Sequence, residues 1–207
     1  MTSLYIAISL ILAYLIGSVP SAYLVARYRK GIDIRSVGSR NMGAMNTFYK
    51  VGFWYGITVL FLDISKGVIA VAIPTILGVD QIVQLLAGAI VVIGHAFPVF
   101  LKFRGGKGGA TCIGVLIFLM PLGVPIYLAL FGLILLITRF PTLSYSLAFL
   151  CFPFLGWLFF HSTALAIYSI GILLIPGAKY IPRIIEMRAK SGGWKHLFFR
   201  HGFKDRL

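Results

Sequence analysis

Long apolar segments separated by short polar ones run through the whole chain. They cover residues 4–26, 53–77, 82–101, 109–120, 123–138, 143–160 and 163–175. Apolar runs of this length are typical of membrane-spanning α-helices, which need about 20 residues to cross a bilayer. The stretch from residue 109 to 138 is too long for one span, and Pro121 and Pro125 bracket its middle, so we predict a break there. The pattern therefore predicts seven helical elements, of which the fourth is short.

The composition places these helices in a membrane. The chain has 207 residues, of which 59% are hydrophobic and 12% are charged, and its mean hydropathy is +0.97. Soluble domains carry about 25% charged residues. A backbone inside a bilayer must form helices or closed barrels, and the strict alternation of barrel strands is missing from this sequence. We predict an all-α, polytopic membrane helix bundle of about seven transmembrane helices, forming one integral-membrane domain over residues 1–207.

The basic residues predict the orientation of the bundle. With seven crossings and the N-terminus outside, every Lys and Arg except Lys66 falls in a cytoplasmic segment, including a basic tail from about residue 179. Because cytoplasmic loops collect Lys and Arg, we predict an external N-terminus and a cytoplasmic C-terminus. The net charge of +14 does not indicate nucleic-acid binding, since the cations lie in loops between apolar segments.

The first polar loop is a candidate phosphate-binding segment. It reads GIDIRSVGSRNMGAMN over residues 31–46 and mixes glycines with Ser, Asn and charged side chains. Glycine lets backbone N–H groups approach a ligand closely, and neighbouring Ser or Asn side chains add further donors. An ordinary polar turn explains this pattern equally well.

The second polar loop is more specific. The sequence GHAFP closes the third element at residues 94–98, and KFRGGKGG leads into the fourth at residues 102–109. Consecutive glycines before a helix N-terminus would leave amides free to face an anion, with the helix dipole behind them and Lys107 as a counter-charge. We predict an anion cradle here, with a flexible basic turn as the alternative. The spacing is not that of a Walker A motif.

Buried charges and missing motifs restrict the chemistry. Asp63 and Lys66 lie one helical turn apart in the second element, so we expect them to pair. His95 ends the third element, where it could contact a polar ligand. The sequence lacks an HxxxxD acyltransferase box, a nucleophile elbow and a Cys/His metal cluster, and Cys112 and Cys151 fit two buried thiols. We expect neither a metal nor a cofactor.

Together these motifs resemble the bacterial membrane acyl-phosphate:glycerol-3-phosphate acyltransferases, the PlsY family. The shared positions are GS at 17–18, PSAY at 20–23, Arg27, GIDIR at 31–35, GS at 38–39, Asn41, GA at 43–44, Asn46, DxxKG at 63–67, GH at 94–95, Pro98, Phe103, GGKG at 105–108 and AT at 110–111. The seven-span architecture of that family, with its N-terminus outside, agrees with the topology predicted from charge.

The resemblance implies an enzyme that transfers a fatty acyl group from acyl phosphate to the primary hydroxyl of sn-glycerol 3-phosphate, forming lysophosphatidic acid and phosphate. It also implies a multi-pass protein of the bacterial cell (inner) membrane with a cytoplasmic active site, and a monomer is compatible with it. We predict catalytic roles for Ser39, His95 and Lys107. Substrate-binding roles are predicted for Arg35, Gly38, Arg40, Asn41, Asn46, Lys50, Arg104, Gly105, Gly106, Gly108, Thr111 and Arg183.

The chain also departs from the pattern of the family it resembles. Arg40 stands at a glycine position, Met45 at a threonine position, and Tyr49, followed by Lys50, at an arginine position. The third family motif, NxxRLxxGxE, aligns on residues 180–189 and retains Arg183 without its asparagine or glutamate. Arg40 and Lys50 could compensate for the missing arginine. An acyltransferase with another phosphorylated acceptor, a fold that has lost its activity, and a small anion or phosphate transporter remain the alternatives.

Overall fold

The computed structural model describes residues 1–191, and in that range it contains α-helices and short 3₁₀ turns but no strand. The α-helices are α1 (Thr2–Ser18), α2 (Ser21–Lys30), α3 (Ala44–Lys50), α4 (Phe53–Ile76), α5 (Gln81–Ala96), α6 (Gly109–Leu119), α7 (Val124–Thr138), α8 (Pro141–Ala148), α9 (Cys151–Leu158) and α10 (Thr163–Ser191). The predicted all-α fold is confirmed. The part of the predicted basic tail beyond residue 191 lies outside the described residues.

Within residues 1–191, six helical segments are long and apolar enough to cross a membrane. They are Thr2–Lys30, Phe53–Ile76, Gln81–Leu101, Pro121–Thr138, Pro141–Leu158 and Thr163–Ala189. The predicted break after residue 120 is confirmed by a 3₁₀ turn at Pro121–Gly123. Helix α6 before it is only about 16 Å long, which is too short to cross the hydrocarbon core of about 30 Å. The exact number of crossings and the N-out orientation stay predictions.

The first apolar run is interrupted, although the sequence pattern predicted one continuous segment. Helix α1 ends at Ser18 and α2 begins at Ser21, with Val19 in an extended conformation at ψ 117°. Pro20 has no N–H and its ring disfavours the helical conformation of the residue before it. The carbonyl of Val19 is thereby released from the helical hydrogen-bond pattern and can accept another donor.

The chain divides into two compact units, and the first contains residues 1–119 and 172–176. Its helices approach closely at glycines, where an added Cβ would strike backbone: Gly17 faces the Val91 carbonyl, and Gly114 faces the Ile64 carbonyl. Small residues at helix contacts are the usual means of close packing in membranes, where lipid removes the hydrophobic drive between helices. The predicted single domain over residues 1–207 stays a prediction.

Among the described residues, the second unit contains residues 120–171 and 177–191. An aromatic cluster joins α7 to the α8–α9 segment, with Tyr127 packed 5.5 Å from Phe149 and 5.6 Å from Phe152, measured between ring centroids. Gly156 of α9 lies against the backbone of Ala166 in α10. Packing of aromatic rings and a close contact between helices thus hold the elements of this unit together.

Candidate active site

Asn46 organises the first polar loop, residues 31–43, which connects α2 to α3. Its Nδ2 donates hydrogen bonds of 2.9–3.0 Å to the carbonyls of Ile34, Val37 and Asn41, and its Oδ1 accepts the Ser39 N–H at 3.2 Å. The side chain is only 3% exposed. Because both ends of the amide bind the loop itself, Asn46 shapes the loop in this structure. Its predicted contact with substrate stays a prediction.

Gly38 and Arg40 bend the same loop through left-handed backbone conformations. Their φ angles are +61° and +58°. Gly38 also lies under Asn46 Oδ1 and the side-chain carbons of Lys50, so a Cβ there would have no room. Arg40 adopts a conformation that costs a non-glycine residue about 1–2 kcal/mol. The loop therefore holds an arginine at a position whose backbone favours glycine.

Asp33 and Arg35 form the main ion pair of the first loop. Arg35 Nη2 lies 2.7 Å from Asp33 Oδ2, Nε donates to both carboxylate oxygens, and the guanidinium stacks 5.2 Å from the Tyr23 ring centroid. These hydrogen bonds hold the pKa of the Asp33 carboxyl below its ordinary value. Arg35 Nη1 also reaches the Leu101 carbonyl at 3.4 Å, so the pair connects the first loop to the second.

The second polar loop, residues 97–108, folds back on the end of α5. Gly105 N–H donates to the Ala96 carbonyl at 3.3 Å, and Gly106 N–H donates to the His95 carbonyl at 3.1 Å. The sequence-based expectation that these two amides face an anion was wrong, because backbone carbonyls already accept their hydrogen atoms. Gly108 is left-handed at φ +89° and rests against Val92. The glycines are needed for this close backbone packing.

A buried polar cluster lies beneath the two loops. Lys66 Nζ is 2.7 Å from Asp63 Oδ1, which confirms the predicted pair, and it donates to the Val19 carbonyl at 2.6 Å. Asp63 Oδ1 also lies 3.8 Å from His95 Nδ1. Asp63, Lys66 and His95 are each no more than 6% exposed. Gly106 lies against His95 Nε2, so the imidazole joins this cluster to the second loop.

One pocket of about 840 Å³ opens where the two loops meet. It is lined by Asp33, Arg35, Ser36, Arg40, Phe100, Leu101, Lys102, Arg104 and Gly105. Four of these residues carry a positive charge and one a negative charge. Lys102 in its lining and the adjacent Phe103 have left-handed backbones at φ +53° and +60°. A concave site with a surplus of cations suits a phosphate group.

The pocket brings together four of the predicted site residues, namely Arg35, Arg40, Arg104 and Gly105. The other predicted residues of the first unit lie outside its lining: Ser39, Gly38, Asn41, Asn46, Lys50, His95, Gly106, Lys107, Gly108 and Thr111. Lys107 is half-buried between two buried glycines at the start of α6, and the Thr111 hydroxyl is buried without a hydrogen-bond partner among the described residues. Arg183 lies in the second unit, 2.8 Å from Glu186.

Sequence reasoning assigned no site role to Asp33 and Lys102. Asp33 occurs two residues before Arg35 in a turn, a spacing that lets an Asp side chain accept the backbone N–H two residues later. That N–H lies 2.9 Å from Asp33 Oδ1. Lys102 had no comparable signal beyond its charge, because its place in the pocket follows from a left-handed turn that is not encoded by glycine.

Gly106 offers a first test of the site. In Gly106→Ala the new Cβ would strike His95 Nε2 and the Met42 carbonyl oxygen, so the imidazole or one loop must move. We expect at least a tenfold loss of catalytic efficiency, since small displacements of positioned groups reduce rates strongly. The matched control is Gly132→Ala, where nothing lies within 4 Å of the added Cβ. Equal kinetics for both variants would contradict a role for this contact.

Comparisons with known proteins show the family of this chain. The model of the glycerol-3-phosphate acyltransferase family matches residues 7–190. The chain is 51% identical over 204 residues to glycerol-3-phosphate acyltransferase 2 of Dehalococcoides mccartyi (strain ATCC BAA-2266 / KCTC 15142 / 195), covering 98% of this chain and 97% of that protein. The chain belongs to the glycerol-3-phosphate acyltransferase family. Glycerol-3-phosphate acyltransferase of Bacillus subtilis (strain 168) is 50% identical over 139 residues, covering 67% of this chain and 72% of the relative.

Solved structures show the same family fold. The crystal structure of PlsY, an integral membrane glycerol 3-phosphate acyltransferase, in its glycerol 3-phosphate form superposes with a TM-score of 0.81 at 31% identity, covering 93% of this chain and 96% of that one. Its lysophosphatidic acid form gives a TM-score of 0.78 at 30% identity, covering 90% and 92%. This member of the glycerol-3-phosphate acyltransferase family is therefore an integral membrane protein.

Proposed function

We propose that this protein transfers a fatty acyl group from acyl phosphate to the primary hydroxyl of sn-glycerol 3-phosphate. The observation that supports this most is the pocket between the two loops, where Arg35, Arg40, Lys102 and Arg104 give a surplus of positive charge beside glycine backbone. Both proposed substrates carry a phosphate group, and relatives named for the acceptor match nearly the whole chain. The products are lysophosphatidic acid and inorganic phosphate.

The reaction needs positioning more than a strong base. The acceptor hydroxyl oxygen attacks the carbonyl carbon of the acyl phosphate, and the bond between that carbon and the phosphate oxygen breaks, so phosphate leaves with the electron pair. The hydroxyl proton passes to a phosphate oxygen, whose second pKa of about 6 makes it a suitable acceptor. Cations that hold both phosphates lower the barrier by orientation and by stabilising developing charge.

The side chains divide this work between them. Asp33 holds Arg35 in a fixed orientation, and Arg40, Lys102 and Arg104 offer charge to the substrate phosphates. Lys107 lies two residues before α6, where the positive end of the helix dipole adds to its charge. His95 and Ser39 remain predicted catalytic residues. We place the loops on the cytoplasmic side of a bacterial cell membrane, because Lys and Arg accumulate there.

An acceptor screen tests the proposed function. Purified protein is given palmitoyl phosphate with glycerol 3-phosphate or with other polyol phosphates, and phosphate release is measured. We expect release with glycerol 3-phosphate well above the rate without an acceptor. Release only with a different acceptor would assign that acceptor instead, and no release with any of them would refute acyl transfer by this chain.

Arg40 is expected to bind the acceptor phosphate, because it lines the pocket and a guanidinium can donate two parallel hydrogen bonds to phosphate. Arg40→Gly should raise the acceptor KM about tenfold or more, the size of a lost charged hydrogen bond. The Tm should stay unchanged or rise, since glycine adopts this left-handed backbone readily. The comparison variant is Arg139→Ala, which removes an exposed cation of the second unit and should leave the acceptor KM unchanged. An unchanged acceptor KM in Arg40→Gly would exclude this role.

A further inference from the structure

The last turn of α2 carries three exposed cations that the proposed chemistry does not use. They are Arg27, Arg29 and Lys30. Arg27 Nη1 donates to the Gly31 carbonyl at 2.7 Å, and Lys30 Nζ donates to the Lys50 carbonyl at 2.8 Å. Among the described residues none of the three forms an ion pair with a carboxylate. Arg27 and Lys30 are fixed by these local contacts, and all three side chains keep their charges at the surface.

An aromatic group lies at the same level of the molecule. Helix α4 begins at Phe53, directly after α3 and the polar first loop, and at about 36 Å it is longer than the hydrocarbon core of about 30 Å. There Trp54 is 75% exposed and contacts the half-exposed Phe53 at 5.1 Å between ring centroids. Exposed Trp residues at the end of a spanning helix are typical of the membrane–water interface.

Two contacts hold two of the cations close to the start of α4. The Arg29 guanidinium carbon lies 5.3 Å from the ring centroid of Tyr55 in the first turn of α4. Lys30 is bound to the carbonyl of Lys50, the last residue of α3 before the short connection to α4. Both cations are thereby fixed beside the first turn of α4. We call Arg27, Arg29, Lys30, Phe53 and Trp54 the basic–aromatic patch.

The geometry points to the basic–aromatic patch as a binding site for the headgroup of an anionic phospholipid. Exposed cations fixed at headgroup depth attract a lipid phosphate, and Trp54 and Phe53 lie where the glycerol and upper acyl carbons of that lipid would be. Asp33 and Asp63 are paired with Arg35 and Lys66, so the cations of the patch are available to an external anion. The site is separate from the lining of the pocket.

Native mass spectrometry of the full chain in detergent tests this inference. The protein is titrated with palmitoyl-oleoyl phosphatidylglycerol or with the matching phosphatidylcholine, and the bound lipid is counted. Wild type should bind phosphatidylglycerol selectively, and Arg29→Gln/Lys30→Gln should bind it about thirtyfold more weakly, as expected for two interfacial cations. Arg29→Lys keeps the charge and should keep most of the affinity. Activity in phosphatidylcholine vesicles should be unchanged in all variants.

A matched control removes two exposed cations elsewhere. Arg139→Gln/Arg188→Gln makes the same change in net charge in the second unit and should leave phosphatidylglycerol binding intact. Equal weakening by both double variants, or equal binding of the two lipids to wild type, would overturn the proposal. Displacement of the lipid by millimolar inorganic phosphate would also overturn it, because the patch would then be a site for free anions. Lipid binding is measured without catalysis, so this inference and the proposed function can each fail independently of the other.

Discussion

Lys107→Ala is expected to lower kcat at least a hundredfold while the bundle stays folded. Lys107 is half-buried between Gly106 and Gly108 and lies two residues before the N-terminus of α6, where the positive end of the helix dipole adds to its charge. Removing a preorganised charge contact from an active site costs about a hundred- to a thousandfold in rate. The measurement is phosphate release from palmitoyl phosphate at saturating acceptor concentration.

The control for this variant is Arg139→Ala, which removes an exposed cation of the second unit and should leave kcat unchanged. Lys107→Arg keeps the charge with a different hydrogen-bonding geometry and should recover part of the rate. Thermal unfolding in detergent reports whether each variant is folded. Near-normal turnover by a folded Lys107→Ala protein would remove Lys107 from the catalytic site.

Lys66→Met should destabilise the protein by about 3–5 kcal/mol, the usual cost of leaving one member of a buried ion pair without its partner. Asp63 is 2% exposed and lies about 15 Å along α4 from its first residue, so the protein itself shields it from solvent. Lys66 also holds the carbonyl of Val19 that the kink at Pro20 releases. The measurement is the free energy of unfolding in mixed detergent and denaturant.

The double variant Asp63→Leu/Lys66→Met separates stability from function. Replacing both charges by apolar groups of similar size should restore most of the lost stability. Turnover of the double variant should stay well below that of wild type even where stability is restored. The reason is that the double variant lacks the carboxylate that lies 3.8 Å from His95 Nδ1. If Lys66→Met alone unfolds like wild type, the pair contributes little to stability. Full activity in the double variant would show that His95 does not depend on Asp63.

The helical fold could be predicted because bilayer physics leaves few choices. Long apolar runs indicated the helices, and Pro121 and Pro125 indicated the break that the 3₁₀ turn confirms. The interruption at Pro20 was missed, since the apolar run continues through it and a proline near the end of a long run can also be accommodated by a kink. Hydrophobicity reports where a helix lies and only weakly where it is interrupted.

The candidate site was predicted only in part. Charge and glycine spacing placed Arg35, Arg40, Arg104 and Gly105 in the two loops, and these residues share the pocket. The sequence could not predict whether the backbone amides of the loop glycines face a ligand or the protein itself. A glycine that offers an amide to a ligand and a glycine that packs against backbone have the same sequence signature, and Gly106 does the latter against His95 and Met42. Only tertiary geometry separates the two.

Product identification tests the central claim most directly. Protein in vesicles is given palmitoyl phosphate labelled in the acyl chain together with glycerol 3-phosphate, and labelled products are separated by mass spectrometry while phosphate is measured. We predict labelled lysophosphatidic acid in one-to-one ratio with released phosphate, and its loss in Lys107→Ala. Labelled free fatty acid with no lysophosphatidic acid, or phosphate flux across the vesicle membrane without any acyl transfer, would contradict the account.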